Sequence, residues 1–287
     1  STWIRKSGKE KQLNALLKIN KYTRRIGLDI SKKATKQITD LFGGRMKMLI
    51  VGGAAIDGKI MDFFRSLGIN AVQGYGLTET SPMVSLNPDN AKLIDNASAG
   101  HLLPFVECMI ADKDAEGIGE ICFRGPNIMM GYYKDRESTA DATVDGWFHT
   151  GDLGYINEND YVYITGRKKN VIIAANGKNV FPEELEFYLM KNDCIAECMI
   201  WGDEDNEDSL KRGIYATIRA DREHITEELG EDATDEQVRE YIERIVDTQN
   251  DTMPIFKRIN HVIIRDREFN KTTGLKIRRF VEDNKWA

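Results

Sequence analysis

The chain has 287 residues, 41% hydrophobic and 9% aromatic, which is enough apolar material for a full core and predicts two domains rather than a disordered polymer. No run approaches the roughly 18 apolar residues of a membrane span, and the start Ser1-Thr2-Trp3-Ile4-Arg5 lacks the apolar stretch of a signal peptide, so the expected location is cytoplasmic. The net charge of -6 conceals an asymmetry: residues 1–42 carry eleven Lys and Arg against three Asp and Glu, a surplus of 8, leaving the remainder at -14. That distribution argues against a nucleic-acid binder.

In the basic segment, Leu13, Leu16, Leu17 and Asn20 fall at helical spacing. Such a helix is compatible with peripheral contact with a membrane surface, but packing against other protein is the simpler expectation. Met46 to Val51 is an apolar run ending at Gly52-Gly53 and reads as a buried strand followed by a tight loop. Ile60, Met61, Phe64 and Leu67 then predict a helix that Gly68 stops, and Ile69 to Val72 begins a second strand. If these strands are parallel neighbours, Gly52, Gly53 and Ala54 and the segment Gln73-Gly74-Tyr75-Gly76-Leu77-Thr78-Glu79-Thr80 leave from the same edge, where open α/β sheets bind ligands.

The second of these segments has the equipment of a nucleotide site. Glycines let backbone approach closely, Tyr75 offers a flat face to a base, Thr78 and Thr80 can donate to phosphate oxygens, and Glu79 can hold a hard divalent cation. The same residues also fit a Gly-rich turn with no ligand. From about Ala99 to Gly166 the pattern changes to short strands, predicting a small antiparallel barrel or sheet. Within it, Asp152 lies between glycines in Trp147-Phe148-His149-Thr150-Gly151-Asp152-Leu153-Gly154, where its carboxylate can accept both hydroxyls of a ribose or serve an ordinary turn.

After the polar junction Gly166-Arg167-Lys168-Lys169-Asn170, the run Val171 to Ala175 leads into Asn176-Gly177, a favoured two-residue hairpin turn, and Pro182 opens a helix. Thr234 and Gln237 form a capping box ahead of a helix with Val238, Tyr241, Ile242, Ile245 and Val246 on one face. The acidic loop at 203–208 reads as solvated surface. The four cysteines, Cys108, Cys122, Cys194 and Cys198, show neither a disulfide framework nor zinc spacing, and Cys194 with Cys198 reads as a pair of helix neighbours. The expected fold class is therefore α/β followed by α+β, with residues 1–166 forming one domain (an α/β unit, then barrel-like strands) and 167–287 a small α+β domain.

These pieces, with Gly119 to Tyr132, Gly166 to Glu186 and Lys271 to Arg278, resemble in order and spacing the adenylate-forming superfamily of acyl-CoA synthetases, firefly luciferases and peptide-synthetase adenylation domains. The phrasing FGGRMKMLIVGGAAID and the TTGLKIRR ending look most like the long-chain fatty acyl-CoA synthetase branch. The resemblance implies an ATP- and magnesium-dependent ligase that joins a carboxylate to AMP and then to coenzyme A, with a mobile small domain. It places Gln73, Gly74, Tyr75 and Gly76 around adenine, with Gly52, Gly53 and Ala54 opposite, Thr78 at the α-phosphate and Glu79 on magnesium. Asp152 and Arg167 fall to the ribose, Lys276 to the carboxylate and α-phosphate during adenylation, Lys169 to the hinge, and Gly177 to the coenzyme A side.

Two departures accompany the likeness. The family normally has Ser-Gly-Lys at the catalytic lysine, whereas this chain has Gly274-Leu275-Lys276. The Ser/Thr/Gly-rich loop that holds the outer phosphates is absent, and family members run to about twice this length, so the expectation is the carboxyl-terminal half of an enzyme. A non-catalytic nucleotide-binding or interaction module, and a transferase to a carrier protein, are the competing readings.

Overall fold

The computed structural model describes residues 36–174, 176–203 and 213–286; Leu13, Leu16, Leu17 and Asn20, and the acidic residues 204–208, lie outside them. The chain divides into two units, Ser1–Thr150 with Tyr155–Ile164, and Gly151–Gly154 with Thr165–Ala287.

In the first unit, helix α1 (Lys36–Leu41) precedes strand β1 (Met48–Val51), helix α2 (Gly58–Ser66) and strand β2 (Asn70–Tyr75). Asp57 caps α2 by accepting the amide of Lys59, and Met61 and Leu67 are the apolar residues of the predicted face that become fully buried. Strands β1 and β2 pair in parallel, from Met48 opposite Asn70 to Val51 opposite Gln73. β3 (Ser85–Leu86) and β4 (His101–Leu102) continue the sheet antiparallel in the order β1-β2-β3-β4. The expectation of a buried β1 fails: among the described residues it is an edge strand paired only with β2, and Ile50 remains 47% exposed.

A second sheet follows, made of β5 (Glu107–Ala111), β6 (Gly119–Arg124), β7 (Thr143–Val144), β8 (Trp147–Ile156) and β9 (Val162–Arg167), with α3 (Arg136–Ala142) before β7. Its order is β5-β6-β8-β7 with β9 also on β8, so it is an open sheet and not a closed barrel. Tyr75, Val84, Ala99, Val106, Ile121, Phe123 and Val162 form the core of this unit. Backbone bonds from Ala99 to Val162 (2.8 Å) and from Val162 to Gly100 (3.0 Å) stitch the two sheets together.

In the second unit, β10 (Ile172–Ile173) and β11 (Asn179–Val180) form a hairpin, followed by α4 (Pro182–Leu189), β12 (Ile195–Asp203), β13 (Gly213–Ala220), α5 (Arg222–Leu229), α6 (Asp235–Asn250) and β14 (His261–Ile264). Pro182 opens α4, and Thr234 and Gln237 exchange both bonds of the capping box before α6, as the sequence predicts. The three-stranded sheet runs β12-β13-β14, antiparallel and then parallel. Leu185, Leu189, Ile200, Ile218, Val238, Ile242 and Val246 fill one core, while Met199, Trp201, Tyr215 and Phe269 form another cluster.

Two expectations are corrected here. Cys194 and Cys198 are not helix neighbours: Cys194 sits in a turn and Cys198 in β12, because the run of Ile195, Met199, Ile200 and Trp201 favours an extended, sheet-packed backbone over a helix. All four cysteines are unbonded to one another. The hairpin at Asn176-Gly177 is also wider than a two-residue turn. Gly177 donates to Ala174 (2.7 Å) and Ala174 to Lys178 (2.9 Å), and Gly177 takes the left-handed conformation, with φ 78°, whereas Asn176 does not.

The segment after β14 is fixed by a buried cation. Arg265 donates from Nε to the carbonyl of Arg267 (2.9 Å), from Nη1 to those of Asp283 (2.6 Å) and Trp286 (2.8 Å), and from Nη2 to that of Glu268 (3.1 Å). Its guanidinium lies 4.9 Å from the Phe269 ring centre and 3.5 Å from the Asp283 carboxylate. Arg265→Met therefore strands several buried carbonyls and should lower the unfolding free energy by about 3–5 kcal/mol. Urea denaturation followed by the fluorescence of Trp201 and Trp286 measures it, and Arg265→Lys, lacking the planar fork, should fail to restore the loss.

Candidate functional site

The parallel register puts Val51 opposite Gln73, so the loop beginning Gly52-Gly53-Ala54 and the segment after β2 leave the sheet side by side, as expected from the strand-helix-strand pattern. Gly52, Gly53 and Ala54 are exposed, and a Cβ on Gly52 would sit 3.2 Å from the carbonyl oxygen of Gly74. The glycines of the second segment serve the chain's contact with itself. A Cβ on Gly76 would lie 1.9 Å from the carbonyl oxygen of Pro82, and one on Gly74 would lie 3.0 Å from that of Ser85. The Tyr75 ring is 9% exposed and tilted against Phe123 at 5.9 Å, so it belongs to the core. Gln73 is half-buried, and its carbonyl accepts the amide of Asn87 at 2.9 Å.

Thr78 to Thr80 form a single tight turn. Thr80 is not available to a phosphate: it is fully buried, and its hydroxyl accepts the Leu77 amide (2.9 Å) and donates to the Leu77 carbonyl (3.0 Å). Thr78, by contrast, is exposed. Glu79 is half-buried, accepts the Tyr132 hydroxyl on Oε1 at 3.0 Å, and receives the Met129 amide on its carbonyl at 2.8 Å. Burial first, and then the bond to Glu79, push the Tyr132 phenol above its ordinary pKa. Asn127 donates from Nδ2 to the carbonyls of Thr80 and Met83, both at 2.9 Å, clasping the two ends of the turn, while its Oδ1 is buried without a partner. Tyr132 and Asn127 were missed as individual site residues, although both lie in a segment that the motif match spans. Only their distance in sequence from Glu79 hid them.

In the second unit, Asp152 and Arg167 meet. Asp152 is buried, and Arg167 Nε lies 2.6 Å from its Oδ1 with the guanidinium 45% exposed. Lys169 is exposed in the short turn Lys168–Asn170, and Gly177 is exposed at its hairpin tip. Lys276 is exposed on a tight loop closed by Lys276 to Thr272 contacts, where the amide of Thr272 donates to the Lys276 carbonyl (2.8 Å) and the Lys276 amide to Thr272 Oγ1 (3.2 Å). Leu275, and not Gly274, takes the left-handed conformation, with φ 62°. A branched side chain at such an angle is strained.

The base of this loop is held by charge. Lys271 pairs with Glu197, which also accepts Arg219 Nε at 2.6 Å. Burial works to raise the Glu197 pKa, but the bonds from Lys271 and Arg219 outweigh it and hold the carboxyl below its ordinary value.

Residues 11–133 match the AMP-binding enzyme family. The long-chain-fatty-acid–CoA ligase FadD15 of Mycobacterium bovis is 31% identical over 268 residues, covering 88% of this chain and 42% of that protein. The human long-chain-fatty-acid–CoA ligase ACSBG1 is 38% identical over 185 residues, covering 63% of this chain and 25% of its own length. The crystal structure of ATP-bound MatB from Rhodopseudomonas palustris superposes with a TM-score of 0.65 at 28% identity, covering 83% of this chain and 45% of that one. The chain thus spans less than half the length of the relatives it matches. Among the described residues, no helix is long and apolar enough to cross a membrane.

The Glu197 cluster makes the lysine loop acid-sensitive. Its folded pKa lies below the unfolded one, so its stabilisation is complete above the unfolded value and is lost as pH falls through the folded value, below the ordinary 4.5. The melting temperature of Glu197→Gln should fall short of the unaltered chain at neutral pH, and the gap should close on acidification below about pH 4. Calorimetric melts across that range check it.

Proposed function

Because the chain belongs to the AMP-binding, adenylate-forming superfamily, we propose that it is the carboxyl-terminal portion of an ATP-dependent ligase that converts a fatty acid to its coenzyme A thioester through an acyl-adenylate. The observation that carries this reading is the paired exit of two loops at the carboxyl edge of β1 and β2, with Thr78 exposed and Glu79 held by Tyr132 beside it. Acyl-CoA ligase names among the relatives support the reaction class, and the long-chain names support a fatty acid as the substrate. ATP in the MatB structure supports the nucleotide.

In this reading Gln73 and the backbone of Gly74, Tyr75 and Gly76 flank the adenine, with Gly52, Gly53 and Ala54 on the other side. Asp152 accepts the ribose hydroxyls, and Arg167 holds its carboxylate in place through the 2.6 Å pair. The donor set at Glu79 fits magnesium: a carboxylate whose Oε1 already accepts Tyr132 keeps its second oxygen for a hard cation. Magnesium, when bound, supplies charge neutralisation for the phosphates. Thr78 donates to the α-phosphate. A carboxylate oxygen of the acid attacks the α-phosphorus and pyrophosphate leaves, and Lys276 offsets the negative charge that gathers between the two anions. In the second step, the coenzyme A thiolate attacks the acyl carbonyl carbon and AMP leaves. Lys169 is the hinge for the exchange between steps, and Gly177, without a side chain, leaves room for the pantetheine arm.

Two measurements test this. Calorimetry of AMP with this chain should give saturable binding that the isosteric Asp152→Asn removes while the circular dichroism stays unchanged; binding that survives the substitution overturns the ribose assignment. In the full-length enzyme, Lys276→Ala should slow pyrophosphate release by about 10² to 10³ while sparing thioester formation from supplied acyl-adenylate. Lys169→Pro should do the reverse, and equal loss of both half-reactions in either variant counts against the division of labour.

A further inference from the structure

The alternation of β6 and β8 turns Ile121 and Phe123 into the core of the first unit and sends Glu120 and Cys122 to the opposite face, beside His149 of β8. The register on that face is fixed independently: Arg124, next in the same row, lies 4.6 Å over the Trp147 ring. His149 Nδ1 is 3.2 Å from Glu120 Oε2 and 3.4 Å from Cys122 Sγ. The three donor atoms all lie within 4.8 Å of one another.

A thiol, an imidazole and a carboxylate in contact suggest first a nucleophilic relay. The geometry argues against it, because a relay uses the two ring nitrogens for different partners. Here the carboxylate and the sulfur converge on the same nitrogen. Convergence on one point is the arrangement of a shared metal ion. Ligand bonds of about 2.3 Å to sulfur and 2.0–2.1 Å to nitrogen and oxygen give tetrahedral edges of about 3.3 Å between N and O and about 3.5 Å between S and N. The observed 3.2 and 3.4 Å lie close to these two edges, and the third separation is within 4.8 Å.

We propose that Glu120, Cys122 and His149 form a binding site for a zinc-class divalent ion, with water as the fourth ligand. Sulfur, nitrogen and oxygen donors together suit zinc and disfavour magnesium or calcium, which take oxygen alone. Charge favours it as well. On binding, the Cys122 thiol releases its proton to solvent, and one thiolate, one carboxylate and a neutral imidazole ligating through Nδ1 cancel the dication, so the buried assembly is neutral. Glu120 and Cys122 are buried and His149 retains 24% of its side-chain exposure, which gives the ion and the water a route. The site lies on strand β8 three residues ahead of Asp152 and cross-links β6 to β8. It is separate from the magnesium ligand proposed at Glu79.

The test uses the reduced, metal-stripped chain titrated with cobalt(II) as a spectroscopic stand-in, followed by zinc displacement. The expected result is one cobalt per chain, with the visible bands of a tetrahedral site and a thiolate-to-cobalt charge-transfer band in the near ultraviolet. Cys122→Ser should abolish the charge-transfer band, and His149→Gln should weaken binding at least about tenfold. Cys108→Ser should leave both unchanged. No stoichiometric metal on the folded chain, or a charge-transfer band that persists in Cys122→Ser, overturns the proposal. Should Cys122→Ser fail to fold, X-ray absorption of the zinc-loaded unaltered chain decides. One sulfur and three nitrogen or oxygen neighbours support the site, and any other sulfur count rejects it.

Discussion

A charge that water cannot reach organises the second unit. Arg265 is buried at the end of β14, and a buried guanidinium is tolerable only if its donors find acceptors. The chain meets that demand by folding its own last twenty or so residues around the cation, offering the carbonyls of Arg267, Glu268, Asp283 and Trp286. The loop bearing Lys276 lies between these anchor points. Asn284 reinforces them, with its side chain bridging the amide of Asn270 (2.8 Å) and the carbonyl of Arg278 (2.9 Å). The position of an exposed lysine is thus set by a hydrogen-bond demand in the interior.

The first unit reaches a comparable result with small residues. Strand β2 carries both a sheet contact and the exit of the loop bearing Thr78 and Glu79, and Gly74 and Gly76 let the chain at Pro82 to Ser85 press directly on its end. Asn127, in the turn after β6, then ties that loop down at Thr80 and Met83. Thr78 and Glu79 therefore stand on backbone clamped from both sides, and such support lets short polar side chains hold a fixed direction.

The strand-helix-strand unit, the parallel exit of the two loops, the α6 capping box and the proline start of α4 were legible because each is written locally: an apolar run with a glycine stop, a Thr-x-x-Gln pair, or a ring that fixes φ. What escaped was set by distant partners. The apolar character of β1 could not reveal that it is an edge strand, since pairing is decided by the order of strands in the sheet. Cys194 and Cys198 carry helical spacing by coincidence, and only the continuous run Cys198 to Trp201, buried in full, points to a sheet-packed strand. Thr80 looked as useful as Thr78, and the difference arises from which hydroxyl closes the turn. The meetings of Tyr132 with Glu79, and of His149 with Glu120 and Cys122, join residues 53 and about 28 positions apart, beyond any local pattern.

Gly76 carries a lesson for substitution mapping. A methyl group there would collide with the Pro82 carbonyl whether or not any nucleotide were present. In a library of variants this position would therefore record intolerance of the same depth as a true contact residue, and a heat map of fitness would outline the chain's own seams together with its ligand. The Thr78 side chain is exposed and its hydroxyl does not close the turn, as that of Thr80 does, so a tolerance profile separating Thr78 from its two neighbouring motif positions, Gly76 and Thr80, would distinguish recognition from architecture.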